Sequence, residues 1–213
     1  PLTWYGKEIT LVDTAGLRKL AKIKDKIEYY SLVRTQNAID TANVVMVLID
    51  AEKGFGRQDK SIVDFVIEKG KGLILIVNKW DLIKKKNHTM KEFKDEIRNQ
   101  FKSLEYYPLL FISALTKQRI HKVLETGFMV YEKKQQLIAT KDLNNILKKI
   151  ISKNPPPAEK GKNIRINYVT QVSREPTVIA LYANYPRLNK TAYKRYIENQ
   201  LRIHFDFNGI PLK

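Results

Sequence analysis

The 213 residues carry 39 Lys plus Arg against 22 Asp plus Glu, a formal net charge of +17, and 43% of them are hydrophobic. That apolar content builds packed cores and excludes a disordered chain, while the charge points to polyanions (RNA, DNA or an anionic membrane surface) or, more plainly, to a lysine-rich solubilising surface. Cysteine is absent, which excludes disulfides, thiolate metal sites and cysteine nucleophiles and fits a reducing cytosol; the longest apolar runs, 44–49 and 73–77, are too short to span a bilayer.

Pro1-Leu2-Thr3-Trp4 has none of the features of a signal peptide and reads as the interior of a longer chain. Glu8 to Val12 reads as a strand running into Asp13-Thr14-Ala15-Gly16, and Glu28 to Ala42 as a helix. Val44 to Ile49, apolar and β-branched between Asn43 and Asp50, is a buried strand. Asp59 to Lys69 has Ile62, Val63, Val66 and Ile67 at helical spacing. Leu73 to Val77 is a second buried strand, Met90 to Leu104 an amphipathic helix, Leu109 to Ile112 a third strand and Ile120 to Ile138 a long helix. Continuous apolar strands alternating with amphipathic helices imply a parallel sheet covered on both faces. Ligands of such sheets bind at the carboxyl ends of the strands.

The pattern changes near Thr140, which divides the chain into 1–139 and 140–213. Thr140 to Ser152 reads as a helix stopped by Asn154-Pro155-Pro156-Pro157. Ile164 to Val172 and Thr177 to Tyr182 read as strands, Lys190 to Phe205 as a helix, and Gly209 to Leu212 as a last strand barely begun. This is a small α+β unit. It holds 14 Lys plus Arg and 5 Asp plus Glu, a net of +9 on about a third of the chain.

Three loops carry chemistry. Asp13 stands at a strand end, where a carboxylate holds Mg²⁺ through water. Gly16, three residues on, lets a backbone amide approach a terminal phosphate. Alone, such a tetrapeptide is more often an ordinary turn. Asn78-Lys79-Trp80-Asp81 follows the strand 73–77 directly. One carboxylate accepts both the N1 and N2 hydrogens of guanine, and adenine offers neither, so Asp81 is the natural specificity residue. Asn78 suits the N7 side of the purine and the bracing of neighbouring loops, and the Lys79 stem suits the face of the base or ribose. The plainer reading is a polar turn before a helix. Ser113-Ala114-Leu115 follows the third strand, where small residues let amides reach the guanine O6; a serine there is also a common helix cap. What carries weight is the order, phosphate loop then two base loops.

These motifs in this order resemble the translation-factor class of P-loop GTPases. The resemblance narrows to the Der (EngA) family through Asp13 to Arg18, Glu28-Tyr29-Tyr30-Ser31, Arg34 to Ile39, Asp50-Ala51-Glu52-Lys53-Gly54, Gln58-Asp59 and Trp80. In the second half it is carried by Tyr168 to Val172, Pro176-Thr177, Asn184-Tyr185-Pro186 and Tyr193 to Arg202. It covers essentially the whole chain. The resemblance implies a P-loop GTPase-type α/β sheet flanked by helices, lacking its N-terminal part, as the second of two tandem G domains (1–139), then a KH-like domain (140–213). It implies GTP/GDP bound by Asp13, Thr14, Ala15, Gly16, Leu17, Asn78, Lys79, Trp80, Asp81, Ser113, Ala114 and Leu115. It further implies Mg²⁺ on Asp13, stimulation by K⁺, an upstream G domain and the large ribosomal subunit with its rRNA as partners, and a cytoplasmic setting.

Three departures qualify it. No G-x-x-x-x-G-K-[ST] occurs in the chain, so the β-phosphate cradle and the Mg²⁺-binding hydroxyl are expected upstream and these residues alone are expected to be inactive. Leu17 stands where Ras-like enzymes place a water-orienting Gln, which assigns no catalytic residue. The KH-like segment has no G-x-x-G loop, the usual RNA clamp. A basic RNA- or ribosome-binding module without catalysis is the competing reading. His88, His121 and His204 show no ligand-like spacing, Lys84-Lys85-Lys86 reads as a solvated loop, and Tyr193 and Tyr196 as parts of a helix.

Overall fold

The computed structural model describes residues 2–4, 6–12, 35–84, 89–188 and 190–213. Among these, β3 (Val44–Asp50), β4 (Gly72–Asn78) and β5 (Leu109–Phe111) form a parallel sheet in the order β3-β4-β5, with Asp50 paired to Asn78 at its carboxyl end. Helices α1 (Arg57–Lys69), α2 (Thr89–Gln100) and α3 (Ile120–Gln135) connect and cover it.

β4 is buried along nearly its whole length, and its side chains alternate between two cores. Leu73, Leu75 and Val77 pack with Val63 and Val66 of α1 and Ile97 of α2. Ile74 and Ile76 pack with Val123 and Val130 of α3 on the opposite face. A strand wetted on neither side has no polar face, which is why its sequence is a continuous apolar run. Leu75, fully buried, has no space to relax into. Leu75→Ala is expected to cost about 2–5 kcal/mol, read as a lower urea midpoint at constant slope.

The helices follow their periodicity with shifts at the ends. α1 starts at Arg57 because the Asp59 carboxylate accepts the Gly56 amide at 2.9 Å, satisfying one orphan donor of the first turn. α2 stops at Gln100 and a short 3₁₀ turn, Lys102–Tyr106, completes the predicted segment. α3 ends at Gln135, where Gln136 turns extended. Residues 35–41 are helical; the rest of the predicted helix, 28–34, lies outside the described residues.

The first predicted strand is corrected. Lys7–Ile9 (β2) does pair, but antiparallel with β1 (Leu2–Trp4), in the register Leu2↔Ile9 and Trp4↔Lys7. The turn includes Gly6 at φ 73°, a region that costs glycine nothing. Residues 10–12 have run past Leu2 and form no ladder, and Leu11 and Val12 are exposed. No described strand of the parallel sheet therefore leads into Asp13.

The C-terminal unit consists of α4 (Thr140–Lys153), β6 (Ile166–Arg174), β7 (Thr177–Ala183) and α5 (Thr191–His204). β6 and β7 pair antiparallel with irregularities at 166/168 and 171/173. Leu143, Leu147 and Ile150 of α4 and Tyr193, Ile197 and Leu201 of α5 share a core with Ile166 and Val169. The outer edge of β6 is not left open: Asn144 accepts from the Val169 amide at 3.1 Å and donates to the Val169 carbonyl at 2.8 Å. The unpaired edge groups of an exposed strand would otherwise invite another chain. The chain end adds a partial third rung, since Lys213 exchanges hydrogen bonds with Thr177 and Ile179.

This unit docks on the amino ends of the parallel strands. The Gly209 carbonyl accepts from Leu73 at 2.9 Å, and the Gly209 amide donates to the Tyr106 carbonyl at 2.7 Å. Arg202 lies 4.4 Å over the Tyr106 ring and donates to the carbonyls of Phe207 and Ile210, which shapes the loop carrying Gly209. Lys134, 1% exposed at the end of α3, pairs with Glu175 at 3.2 Å, and Gln135 donates to the same oxygen at 3.0 Å. Burial holds the Lys134 amine below its ordinary pKa despite that partner. Burial would raise the Glu175 carboxyl, but the Lys134 and Gln135 bonds outweigh it and leave it lowered. Glu175→Ala leaves the buried ammonium only the Asn43 carbonyl at 3.5 Å and is expected to cost about 2 kcal/mol, whereas Lys134→Met, which removes the charge itself, is expected to be close to neutral; thermal melts of the two variants distinguish these outcomes.

Candidate functional site

Asn78 is the last residue of β4, and everything around the second motif is organised from its amide. Its Oδ1 accepts the Lys79 amide at 2.8 Å and the Ala114 amide at 3.0 Å. One side chain thus ties the loop after β4 to the loop after β5. The neighbouring main chain repeats the tie, with Trp80 donating to the Ile112 carbonyl at 3.0 Å.

Lys79 adopts φ 64°, the left-handed region that a lysine occupies only when its surroundings over-determine it. Its ammonium pairs with Asp50 Oδ2 at 2.9 Å, at the end of the adjacent strand β3. The Lys79 hydrogen bond holds the Asp50 carboxyl below its ordinary pKa, and the Glu52 amide, donating to Oδ1 at 3.0 Å, adds to it against a partial burial cost. Asp50 was not among the candidate residues. The rule that site residues follow strand ends would have found it, since it stands one residue beyond the run 44–49.

Trp80, one of the residues expected at the nucleotide, anchors the loop with its side chain. Its side chain is 3% exposed and packs against Phe111, with ring centroids 4.5 Å apart, and edge-on against Phe93 at 5.8 Å. The ring belongs to the core and holds the loop down. Asp81, next in the chain, has a buried Oδ1 with no hydrogen-bond partner among the described residues. A buried carboxylate oxygen left unsatisfied costs more than most single contacts contribute. It is the one such atom found among the described side chains.

Ser113 is fully buried, and its Oγ accepts the Thr116 amide at 3.1 Å. The Ala114 amide is engaged by Asn78, and the Leu115 side chain is 84% exposed. Asp13, Thr14, Ala15, Gly16 and Leu17 lie outside the described residues, so the structure brings together the two base loops and leaves the phosphate loop aside. No group of three or more His, Cys, Asp or Glu side chains able to hold a metal occurs among the described residues. No helix there is long and apolar enough to cross a membrane.

Residues 2–133 match the family model described as the elongation factor Tu GTP binding domain. Residues 138–213 match the one described as the KH-domain-like C-terminal region of EngA bacterial GTPase enzymes. GTPase Der of Desulforamulus reducens is 45% identical over 208 residues, 98% of this chain and 47% of that protein. GTPase Der of Chlorobium phaeobacteroides is 44% identical over 207 residues, 97% of this chain and 48% of that protein. The chain thus spans about half the length of the curated relatives it matches. Among solved structures, Aquifex aeolicus Era bound to GDP·AlF4⁻ aligns with a TM-score of 0.44 at 16% identity, over 89% of this chain and 71% of that one. With residues 2–133 and 138–213 both matched, the chain belongs to the elongation factor Tu-type GTP-binding family, and its second half is similar to the KH-like C-terminal region of the EngA GTPases.

Proposed function

We propose that the whole protein binds and hydrolyses GTP, and that its nucleotide state controls docking on the large ribosomal subunit during that subunit's assembly. The observation that carries the reading is the unpartnered Asp81 Oδ1 at the carboxyl end of the central strand. Guanine supplies two hydrogens on one edge to such a carboxylate, and adenine supplies none. Asn78 fixes the two loops around the base, Lys79 presents its stem to the base or ribose while Asp50 holds its ammonium, and the small residues Ser113 and Ala114 leave room for the loop through Leu115 to approach O6. Thr14, Ala15 and Leu17 complete the phosphate loop with Asp13 and Gly16, whose amide would contact the γ-phosphate.

Mg²⁺, a hard cation that prefers carboxylate and water oxygens, would be held through water by Asp13 and would neutralise charge on the phosphates. K⁺ has a place in the reading because Leu17 cannot orient water as a glutamine would. Residues 1–139 act as a G domain and 140–213 as a KH-like domain. The basic second unit supplies contact with rRNA, an upstream G domain of the same polypeptide completes the protein, and the setting is the cytoplasm.

GTP and ATP affinities of the full-length protein test this: a preference for GTP of at least about 100-fold is expected, and equal affinity overturns it. One observation favours a second reading, a basic RNA- or ribosome-binding module without catalysis. The chain carries a net +17 and no G-x-x-x-x-G-K-[ST]. Full-length protein that binds ribosomal particles but shows no GTP turnover would establish that reading. The 213 residues alone are expected to show no turnover under either.

A further inference from the structure

The β6–β7 sheet has one covered face and one open one. Val169 and Leu181 point into the core beneath α4 and α5. Their neighbours Tyr168 and Tyr182 are direct cross-strand partners and therefore share the opposite face. They are 43% and 52% exposed, with ring centroids 5.6 Å apart. A third tyrosine lies nearby in the chain: Tyr185, just past the end of β7, is 39% exposed and carries the Lys162 ammonium 4.7 Å from its ring centre.

That cation is held in place by the strand end. Arg165 donates its amide to Asn184 Oδ1 at 2.9 Å, and Asn184 Nδ2 donates to the Asn163 carbonyl at 3.0 Å. The segment bearing Lys162 and the exposed Arg165 is thereby latched beside Tyr182 and Tyr185. Scattered surface aromatics need no explanation. Two tyrosines in register on an open face, beside an exposed arginine and a lysine held over Tyr185 in a unit of net +9, are a different arrangement. Its chemistry is that of a surface on which bases stack while basic groups hold the phosphates.

We propose that the open face of β6–β7 binds single-stranded RNA, with bases stacked on Tyr168 and Tyr182 and phosphates held by Lys162 and Arg165. The proposal rests on the RNA-partner reading above and locates that contact on the sheet face. Duplex RNA buries its base faces and gains only the charge term.

The test uses the native chain and a fluorescein-labelled single-stranded RNA of about 12 nucleotides, read by anisotropy, with a duplex of the same sequence as comparator. The double variant Tyr168→Leu/Tyr182→Leu is expected to bind the single strand at least about tenfold more weakly. Tyr168→Phe/Tyr182→Phe, which keeps the rings, should stay within about twofold, and duplex binding should change little in either. Single-strand binding unchanged in the Leu variant, or a duplex loss as large as the single-strand loss, overturns the proposal. Should the Leu variant not fold, photocrosslinking of the native protein to bromouridine-substituted RNA decides. Adducts at Tyr168 or Tyr182 support it, and adducts elsewhere only overturn it. The same crosslinking in the full-length protein must also label these tyrosines; if another protein segment covers the face, both stay unlabelled and the proposal fails. The guanine preference of full-length protein is untouched by these substitutions, so failure here and failure of the nucleotide reading are separate results.

Discussion

In the full-length protein, Asp81→Ala is expected to weaken GDP and GTP binding by about 2–4 kcal/mol, on the order of 100-fold, while leaving ATP binding as poor as before. The size follows from what the carboxylate lacks. Its Oδ1 is buried without a partner, so the apo protein already bears the cost of desolvating an acceptor. Guanine recovers that cost by donating two hydrogens; alanine removes both the cost and the recovery, and the N1 and N2 groups of the base are then left unpaired against the loop. The loop itself should survive, because Trp80 is anchored on Phe111 and Asn78 holds the loops after β4 and β5 together without help from Asp81. Titration with fluorescent GDP and ADP analogues checks the result. Unchanged discrimination between the two would remove the guanine argument altogether.

Gly209→Ala is expected to be strongly destabilising. The residue sits at φ 83°, where a side chain is strained. A Cβ there would lie 2.5 Å from Val130 Cγ2, well inside contact distance, and Val130 is itself fully buried against the sheet. Both backbone groups of Gly209 are committed, to Tyr106 and Leu73, so the loop cannot withdraw without breaking two hydrogen bonds between the units. A loss of about 3–5 kcal/mol is the sum of strain, overpacking and broken pairing. It should appear as a lower melting temperature and as faster hydrogen exchange at Leu73 and Gly209. Gly70, whose Cβ would meet Pro176 at 2.3 Å, marks a second point of the same docking surface. Retained stability in Gly209→Ala would mean that the two units are not clamped there.

That clamp bears on how the two halves communicate. It grips the amino end of β4 at Leu73, while the base loops leave its carboxyl end at Asn78. At about 3.3 Å per residue, roughly 17 Å of buried strand separates them. A shift of the KH-like unit therefore acts on the strand that carries the guanine motif, and not on the motif's own side chains.

Much of this could be read before any coordinates. The runs 44–49 and 73–77 lie in strands, as does 109–112 up to Phe111; the central run is apolar throughout because β4 is buried on both faces, and the helices between them show their packing stripe at a period of 3.6. The place of Asn78-Lys79-Trp80-Asp81 was legible for the same reason, since it follows the central strand directly. The hairpin of Leu2–Trp4 with Lys7–Ile9 was not, because three-residue strands leave too short a pattern and their pairing depends on one glycine turn.

What the amino-acid sequence determined by itself is therefore whatever depends on local pattern: the elements, their order, the two-part organisation and the chemistry available at the strand ends. The tertiary structure alone decided which groups of distant segments meet. Trp80 turned inward, Asp50 captured Lys79, Asp81 was left with an unmet acceptor, Gly209 locked the units together and two tyrosines came into register on an open face. Each of these joins residues through contacts across strands, helices or units, and such contacts are set by how whole elements pack, which no local spacing encodes.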